Sequence, residues 1–329
     1  MRRAVVTGGA GFIGSHMVDL LVERGFAVDV IDNLVTGRRE NLVYHQGNPR
    51  VRFHQTDMCE LPPDVPLFRG VDYVFHFGGI GDIVPSIERP LDYMRSNVNG
   101  TLAVLEASRR AGVRKLIYAA SSSCYGLATE LPTTESAPIR PEYPYALSKW
   151  LGECAALHWG KVYRLPVNSI RMFNVYGPRV RTTGAYGAVF GVFLAQKLHG
   201  KPLTVVGDGT QRRDFVFVTD VARAFLLAAE SDQTGEVFNL GSDNPQAVNR
   251  LVELIGGAVV HVPKRPGEPD CTWADIGKIR GQLGWEPTVS FEKGVATMMG
   301  HIEDWRSAPV WTPEKIDAAT QTWFQYLAR

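Results

Sequence analysis

The sequence predicts an α/β protein in which a doubly wound parallel sheet is accompanied by a smaller α/β lobe, interleaved with it along the chain. Three observations indicate this fold class. Short β-branched apolar runs alternate with segments of helical spacing, a glycine-rich turn joins the first strand to the first helix, and glycine and proline become frequent after about Asn174. The chain has 329 residues, which is enough for one large domain or two closely packed ones.

The strands of the predicted sheet are short apolar runs, as expected for strands buried on both faces. They are Ala4–Thr7, Val28–Ile31, Val51–Phe53, Val71–His76, Leu116–Ala120 and Val167–Met172. Between them, the apolar spacing predicts helices at Ile13–Arg24, Val98–Ala111 and Tyr145–Gly160. The same alternation continues at Phe215–Val218, Asp220–Ala229 and Val237–Leu240.

The chain is predicted to cross between two lobes more than once. We assign residues 1–173, with 212–242 returning to them, to the sheet domain. Residues 174–211 and 243–329 form the predicted smaller lobe, where the strands are less regular. Its last segment, Pro309–Arg329, is predicted to pack against the body of the protein because it carries the aromatic side chains Trp311, Trp323, Phe324 and Tyr326.

The composition narrows the class of protein. A formal net charge of +1 argues against a nucleic-acid or anionic-membrane partner recognised by bulk electrostatics. The four cysteines are scattered without a C-x-x-C pair, so we predict neither a disulfide framework nor a metal site. The apolar run near the start stops after four residues, and no run approaches membrane-spanning length. We therefore expect a soluble, cytoplasmic protein.

The first motif is a glycine-rich turn between a predicted strand and a predicted helix. Gly8, Gly11 and Gly14 form Gly-x-x-Gly-x-x-Gly, and Phe12 and Ile13 lie within it. Such a turn lets the backbone approach a pyrophosphate closely and presents the helix N-terminus to it. A glycine triplet alone also occurs in structural turns, but this context favours a Rossmann-type dinucleotide site.

Two carboxylates follow the next strands. Asp32 ends the second strand, where it would accept hydrogen bonds from the adenosine ribose and repel a 2′-phosphate, which favours NAD over NADP. The alternative is a turn residue at a strand end. Asp57 follows the third strand and is assigned to the adenine edge, although a solvated turn acid is the other interpretation. Asn33 and Met58 adjoin these two residues in the chain and are assigned to the same site.

The second motif is Tyr145-x-x-x-Lys149 at the start of a predicted helix. Residues i and i+4 share a helix face, so the ammonium group and a positive nicotinamide are expected to lower the pKa of the phenol. Upstream, Ser121, Ser122 and Ser123 follow a strand at the sheet edge where ligands bind, although serines also cap strand ends. Together these residues predict a site that oxidises a sugar hydroxyl.

With these motifs in place, the chain resembles the extended short-chain dehydrogenases/reductases of the NAD-dependent epimerase/dehydratase family, which act on nucleotide-sugars. The resemblance covers nearly the whole length and also rests on Val74-Phe75-His76, Asn97-Val98-Asn99-Gly100-Thr101, Arg171-Met172-Phe173-Asn174-Val175-Tyr176-Gly177-Pro178, Arg213-Asp214-Phe215 and Arg265-Pro266-Gly267-Glu268.

The resemblance implies a role for each matching position. It implies that Ser121 is the catalytic hydroxyl, that Tyr145 is the base and acid, and that Lys149 holds the nicotinamide ribose. Asn97 falls at the cofactor site, while Asn174, Arg213 and Arg265 contact the nucleotide diphosphate. A UDP-sugar is the expected substrate. The resemblance also suggests a homodimer through the Val98–Ala111 and Tyr145–Gly160 helices, whose leucines could equally face the sheet.

The resemblance leaves the final reaction open between epimerisation and dehydration. Related 4,6-dehydratases carry an Asp-Glu pair directly after the catalytic hydroxyl, where this chain has Ser122 and Ser123. A serine is not a carboxylate base near neutral pH, so we favour a 4-epimerase over a 4,6-dehydratase, a simple oxidoreductase or an NAD-binding scaffold without activity. Thr272 stands where related epimerases use a bulky residue to exclude 2-N-acetyl groups, and its small size predicts tolerance of N-acetylhexosamines.

Overall fold

The computed structural model describes residues 1–182 and 188–327. The strands are β1 (Arg3–Thr7), β2 (Ala27–Asp32), β3 (Val51–Gln55), β4 (Tyr73–His76), β5 (Lys115–Ser121), β6 (Val167–Met172), β7 (Asn174–Tyr176), β8 (Leu203–Val206), β9 (Arg212–Arg213), β10 (Phe215–Phe217), β11 (Val237–Leu240), β12 (Gln246–Ala247) and β13 (Val259–Val262). The helices are α1 (Phe12–Glu23), α2 (Ile83–Glu88), α3 (Pro90–Met94), α4 (Gly100–Ala111), α5 (Pro144–Tyr163), α6 (Val189–Leu198), α7 (Val218–Glu230), α8 (Val248–Ile255), α9 (Gly277–Leu283), α10 (Phe291–Gly300) and α11 (Pro313–Leu327).

A seven-stranded sheet forms the centre of the fold, with its strands in the order β11-β6-β5-β4-β1-β2-β3. Every neighbouring pair is parallel. Side chains of α1 and α7 pack on one face, while those of α4 and α5 pack on the other. Because both faces are covered, the strands are apolar almost throughout. The predicted doubly wound, Rossmann-type fold is confirmed.

Outside the central sheet, the described residues form three two-stranded sheets in the region of the predicted smaller lobe, which pair β10 with β7, β12 with β9 and β13 with β8. The core of this lobe is rich in aromatic rings. Tyr176 stacks on Phe190 with ring centroids 4.7 Å apart, and Phe215 stacks on Phe291 at 5.2 Å. Phe215–Phe217 therefore belongs to this lobe's packing and pairs with Asn174–Tyr176, instead of joining the central sheet as its position in the alternation suggested. The division into two domains at the stated residues stays a prediction.

Several local elements differ from the predicted ones. The segment between β4 and α4 contains α2, α3 and a π-helical turn at Arg95–Asn99, none of which we predicted. The segment predicted to pack, Pro309–Arg329, does so through Ile316 and Trp323 on α11, although Ala328 and Arg329 lie outside the described residues. In the described part of the chain, no helix is long and apolar enough to cross a membrane.

The two helices predicted to form a dimer contact divide their leucines between the core and the surface. Leu105 on α4 is fully buried against the sheet. Leu102 on the same helix and Leu151 and Leu157 on α5 are partly exposed. These three side chains could contribute to an interface, and the homodimer stays a prediction.

Candidate active site

Three glycines shape the turn between β1 and α1. Gly8 has a φ of +68°, and a Cβ there would lie 2.8 Å from a backbone nitrogen of the loop after β4. A Cβ on Gly14 would collide with the carbonyl oxygen of Gly8, and the Gly11 N–H donates to that same oxygen at 3.0 Å. Phe12 and Ile13 begin α1, whose first N–H groups have no partner within the helix. The turn thus has the close packing and the free donors that a pyrophosphate requires.

Asp32 lies at the carboxyl end of β2 beside this turn. Its carboxylate accepts hydrogen bonds from the Ala10 N–H at 3.0 Å and the Leu34 N–H at 2.8 Å. Burial raises the pKa of Asp32, and these two bonds only partly offset that effect. Asn33 is exposed, and its side chain accepts from the Val35 N–H at 3.1 Å. A carboxylate held against the glycine turn fits the ribose of a bound dinucleotide.

The segment after β3 adjoins Asp32, because the Thr56 N–H donates to the Asp32 carbonyl oxygen at 3.1 Å. Burial tends to raise the pKa of Asp57, but hydrogen bonds from the Cys59 N–H and from Arg95 outweigh it and leave that pKa lowered. The Arg95 guanidinium lies 2.7 Å from the Asp57 carboxylate. Met58 is largely buried beside them. The assignment of Asp57 and Met58 to the adenine side stays a prediction.

Asn97 is fully buried, and its side chain is engaged by the protein. Its Oδ1 accepts from the Ile80 N–H at 2.8 Å, while its Nδ2 donates to the Ile80 carbonyl oxygen and to Ser148 Oγ at 3.0 and 2.8 Å. These bonds tie the loop after β4 to α5. Asn97 therefore holds the loop after β4 against α5, which the sequence did not predict, and its assignment to the cofactor site stays a prediction.

The structure brings the three predicted catalytic residues together. Ser121 is the last residue of β5, Tyr145 lies in the first turn of α5, and Lys149 follows one turn later. The Ser121 hydroxyl lies beside the Tyr145 phenol and acts to lower its pKa, while Ser121 Oγ lies 2.8 Å from Ser123 Oγ. Lys149 is buried, and its Nζ lies 4.6 Å from the centroid of the Tyr118 ring.

The pKa of Tyr145 shifts in the direction opposite to our expectation. Burial raises it, and the hydrogen bond with Ser121 opposes this rise. Burial also lowers the pKa of Lys149 to about 8, with the nearby Glu153 carboxylate acting the other way. Desolvation therefore sets the direction of both pKa shifts, although the Tyr145 side chain is only partly buried. The prediction relied instead on the attraction between the ammonium group and the phenolate.

A buried ion pair anchors the helix that carries these residues. Glu153, one further turn along α5, lies 2.6 Å from the Arg171 guanidinium on β6 and accepts from Ser169 Oγ at 2.8 Å. Arg171 also donates to the Tyr125 hydroxyl at 2.7 Å. Both charged side chains are less than a tenth exposed, so each depends on the other for compensation of its charge.

Two of the predicted catalytic residues, Ser121 and Tyr145, line a cavity of about 570 Å³. The same cavity that Ser121 and Tyr145 line also contains all of the predicted substrate-binding residues. These are Ser122, Ser123, Asn174, Arg213, Arg265 and Thr272. A cavity of this size can hold a nucleotide-sugar.

The charged part of the cavity contains two arginines. Arg213 and Arg265 both contact Glu268, at 2.8 and 2.9 Å. Beside them, Thr272 Oγ1 donates to Asn174 Oδ1 at 2.8 Å, which connects the loop after β13 to β7. Two guanidinium groups held by a single carboxylate carry an excess positive charge, which is suited to a diphosphate.

Three cavity residues escaped the sequence analysis. Asp82 follows β4 and lies 3.2 Å from Arg181, while burial raises the pKa of its carboxyl group. Its position after a strand of the parallel sheet was a usable signal. Tyr143 stacks on Tyr145 with the two rings 10° from parallel and 6.4 Å apart. Trp323 reaches the cavity from the C-terminal helix, and no local motif marked that approach.

The glycine turn, the buried carboxylate and the Ser–Tyr–Lys set define a dinucleotide-dependent enzyme that acts on a hydroxyl group. In the described residues, no cluster of His, Cys, Asp and Glu side chains could hold a metal ion. The model of the NAD-dependent epimerase/dehydratase family matches residues 4–241. The chain therefore belongs to that family and is an NAD-dependent enzyme that modifies nucleotide-sugars.

Individual relatives catalyse more than one reaction on this scaffold. The chain is 34% identical to a putative UDP-glucose 4-epimerase of Methanocaldococcus jannaschii, over 91% of this chain and 98% of the relative. The structure of a UDP-N-acetylglucosamine 4-epimerase from Methanobrevibacter ruminantium, in complex with UDP-N-acetylmuramic acid, has a TM-score of 0.86 at 31% identity, covering 93% and 98% of the two chains. A dTDP-glucose 4,6-dehydratase from Streptomyces venezuelae, with NAD bound, has a TM-score of 0.85 at 31% identity, with the same coverage.

Proposed function

We propose that this chain is a nucleotide-sugar 4-epimerase that oxidises the sugar at C4 and returns the hydride to the opposite face. One observation carries the proposal: the Ser121 hydroxyl and the Tyr145 phenol lie side by side and line the cavity that also contains Arg213 and Arg265. A hydroxyl-oxidising pair and a diphosphate-binding pair in one cavity fit a sugar joined to a nucleotide. The glycine turn and Asp32 fit NAD, which accepts the C4 hydride and gives it back when bound.

The chain's own residues handle the proton in the proposed reaction. Tyr145 Oη takes the proton of the sugar 4-hydroxyl as C4 is oxidised and returns it when the 4-keto sugar is reduced. Ser121 donates a hydrogen bond to the developing phenolate and thereby assists its ionisation. Lys149 lies on the same face of α5 and is assigned to the nicotinamide ribose. No net oxidation results, because hydride and proton both return to the sugar.

The residues after Ser121 support epimerisation. Ser122 and Ser123 both line the cavity, and Ser123 Oγ lies 2.8 Å from Ser121 Oγ. Dehydration needs a further acid and base for C5 and C6, and serine hydroxyl groups supply neither near neutral pH. A 4,6-dehydratase is the second candidate, because the Asp82 carboxyl group, with its raised pKa, lines the same cavity and could serve as an acid.

The proposed substrate is a UDP-sugar, with N-acetylhexosamines tolerated. The UDP part rests on the UDP-sugar relatives, and the tolerance rests on Thr272, whose side chain lines the cavity and is small. The hydrogen bond from Thr272 to Asn174 directs its hydroxyl toward β7. We also propose a homodimer through α4 and α5.

Product analysis tests the proposal. The purified protein is incubated separately with UDP-glucose, UDP-N-acetylglucosamine and dTDP-glucose, and the products are examined by mass spectrometry and NMR. A product of unchanged mass and inverted C4 configuration is expected from a UDP-sugar. Loss of one water would establish the dehydratase instead, and release of reduced cofactor in step with substrate would indicate a net dehydrogenase.

A phenylalanine at position 145 tests the assigned base. Tyr145→Phe is expected to lower kcat by about 100- to 10,000-fold, the usual contribution of general acid–base catalysis. The NAD content of the purified variant should equal that of the wild-type protein, since the aromatic ring remains. Turnover at the wild-type rate would exclude Tyr145 as the base.

A further inference from the structure

The C-terminal helix contributes one side chain to the candidate active site. On α11, the buried residues are Ile316, Thr320 and Trp323, which share one helix face by their spacing. Trp323 is 5% exposed and lines the cavity. Tyr326, three residues further on near the end of the helix, is 59% exposed. The helix thus carries one buried ring that lines the cavity, Trp323, and one ring that is exposed to solvent, Tyr326.

Trp323 contacts the loop that carries one of the two predicted diphosphate ligands. Its indole Nε1–H donates to the Pro266 carbonyl oxygen at 2.7 Å. The Arg265 guanidinium carbon lies 5.4 Å from the centroid of the Trp323 ring, within the range of a cation–π contact. The indole therefore contacts both the backbone and the side chain of this loop, and Arg265 lies between the ring and the Glu268 carboxylate.

The same indole also contacts the catalytic end of the cavity. The Tyr143 ring lies 6.4 Å from the Trp323 ring, and Tyr143 in turn stacks on Tyr145. At the other side of the helix, Thr322 Oγ1 donates to the Glu88 carboxylate on α2 at 3.3 Å. The C-terminal helix is therefore held across the loops that surround the cavity, with Trp323 at the point of contact.

We propose that Trp323 is a positioning residue for substrate binding, acting on the diphosphate through Arg265. This inference rests on the proposed nucleotide-sugar function. The face of the Trp323 ring contacts the Arg265 guanidinium and holds it in place, and the indole N–H holds the loop backbone through its hydrogen bond to Pro266. Removal of the ring takes away one of the contacts that orient the Arg265 guanidinium, so affinity for the diphosphate falls while cofactor binding at the glycine turn is retained.

Binding of UDP alone tests this role without reference to the reaction catalysed. Trp323→Leu keeps an apolar side chain in the buried position, and Tyr326→Leu is the matched control on the exposed face. By calorimetry, Trp323→Leu should weaken UDP binding about tenfold, which corresponds to about 1.4 kcal/mol. Tyr326→Leu should leave it unchanged. An unchanged Kd in Trp323→Leu, or an equal loss in Tyr326→Leu, would overturn the proposal.

Two further variants separate positioning from a general loss of stability. In a double-mutant cycle, Arg265→Ala should weaken UDP binding strongly in the wild-type background and little in Trp323→Leu, because the two act as a unit. Additive losses would overturn the proposal. Trp323→Phe keeps an aromatic face and should recover most of the affinity, and it remains informative if the leucine variant does not fold.

Kinetic constants distinguish this inference from the proposed function. With the substrate that the protein converts, Trp323→Leu should raise KM about tenfold with unchanged NAD content. If no epimer forms but UDP binding responds as stated, the epimerase proposal fails and the role of Trp323 stands. If an epimer forms at wild-type KM in Trp323→Leu, the role of Trp323 fails and the epimerase proposal stands.

Discussion

Replacing Ser121 by alanine is expected to shift the pH dependence of turnover toward alkaline pH. The Ser121 hydroxyl lies beside Tyr145 and, as a hydrogen-bond donor to the phenolate, opposes the rise in the pKa of the phenol that burial causes. A hydrogen bond to a charged group contributes about 1.5–3 kcal/mol, and about 1.4 kcal/mol corresponds to one pKa unit. Loss of this bond should therefore raise the pKa of Tyr145 by about one to two units.

The assay is kcat as a function of pH with saturating UDP-sugar. Tyr145 acts as a base only when it is deprotonated. At a fixed pH below its pKa, each unit by which the pKa of Tyr145 rises lowers the phenolate fraction tenfold. Near neutral pH, kcat should fall about 10- to 100-fold, and part of the loss should be recovered at alkaline pH. Ser122→Ala is the control, since it should not move the midpoint. A uniform loss at every pH in Ser121→Ala would refute the reasoning.

Two predictions concern the buried charges of α5. Glu153→Gln leaves the Arg171 charge uncompensated and should lower the free energy of unfolding by about 3 kcal/mol, measured by denaturant titration. Glu106→Gln, in a partly exposed pair with Arg109, should change that free energy by less than about 1 kcal/mol. Equal effects would contradict this. Burial lowers the pKa of Lys149 from 10.5 to about 8. Below about pH 8 the folded state therefore carries a buried charge, which lowers the free energy of unfolding by up to about 3 kcal/mol. This cost vanishes as the pH rises through 10.5, where the lysine of the unfolded chain also loses its proton. Lys149→Met should therefore have a higher free energy of unfolding than the wild-type protein at about pH 7 and lose most of that difference near pH 10. A difference that does not change with pH would contradict this prediction.

Sequence patterns were sufficient where one short segment determines the structure. The strand–turn–helix around Gly8 and Gly14 is set by local sterics, and the apolar runs of the central sheet follow from burial on both faces. The spacing of Tyr145 and Lys149 placed both on one helix face, and the end of β5 placed Ser121 beside them. These features therefore depend on residues close in sequence or on a general rule of parallel sheets.

The rest depends on contacts between distant segments. Phe215–Phe217 has the pattern of a central strand, yet its aromatic side chains pack with Tyr176 and Phe291 in the smaller lobe. The direction of the pKa shift of Tyr145 depends on how deeply the phenol is buried, which no motif encodes. Trp323 reaches the cavity only because α11 packs across α2. Such outcomes follow from tertiary packing rather than from local preference.

The Glu153–Arg171 pair has a consequence for the precision of catalysis. An α-helix packed by apolar contacts alone can turn slightly about its axis, and a turn of about 10° moves a side-chain atom 5–6 Å from that axis by about 1 Å. A displacement of this size can cost about 100-fold in rate. Glu153 lies two turns from Tyr145 on the same stripe and is fastened to β6. In the proposed mechanism, the ion pair thus holds the rotation of α5 about its axis, so that the phenolic oxygen would meet the sugar hydroxyl at one orientation.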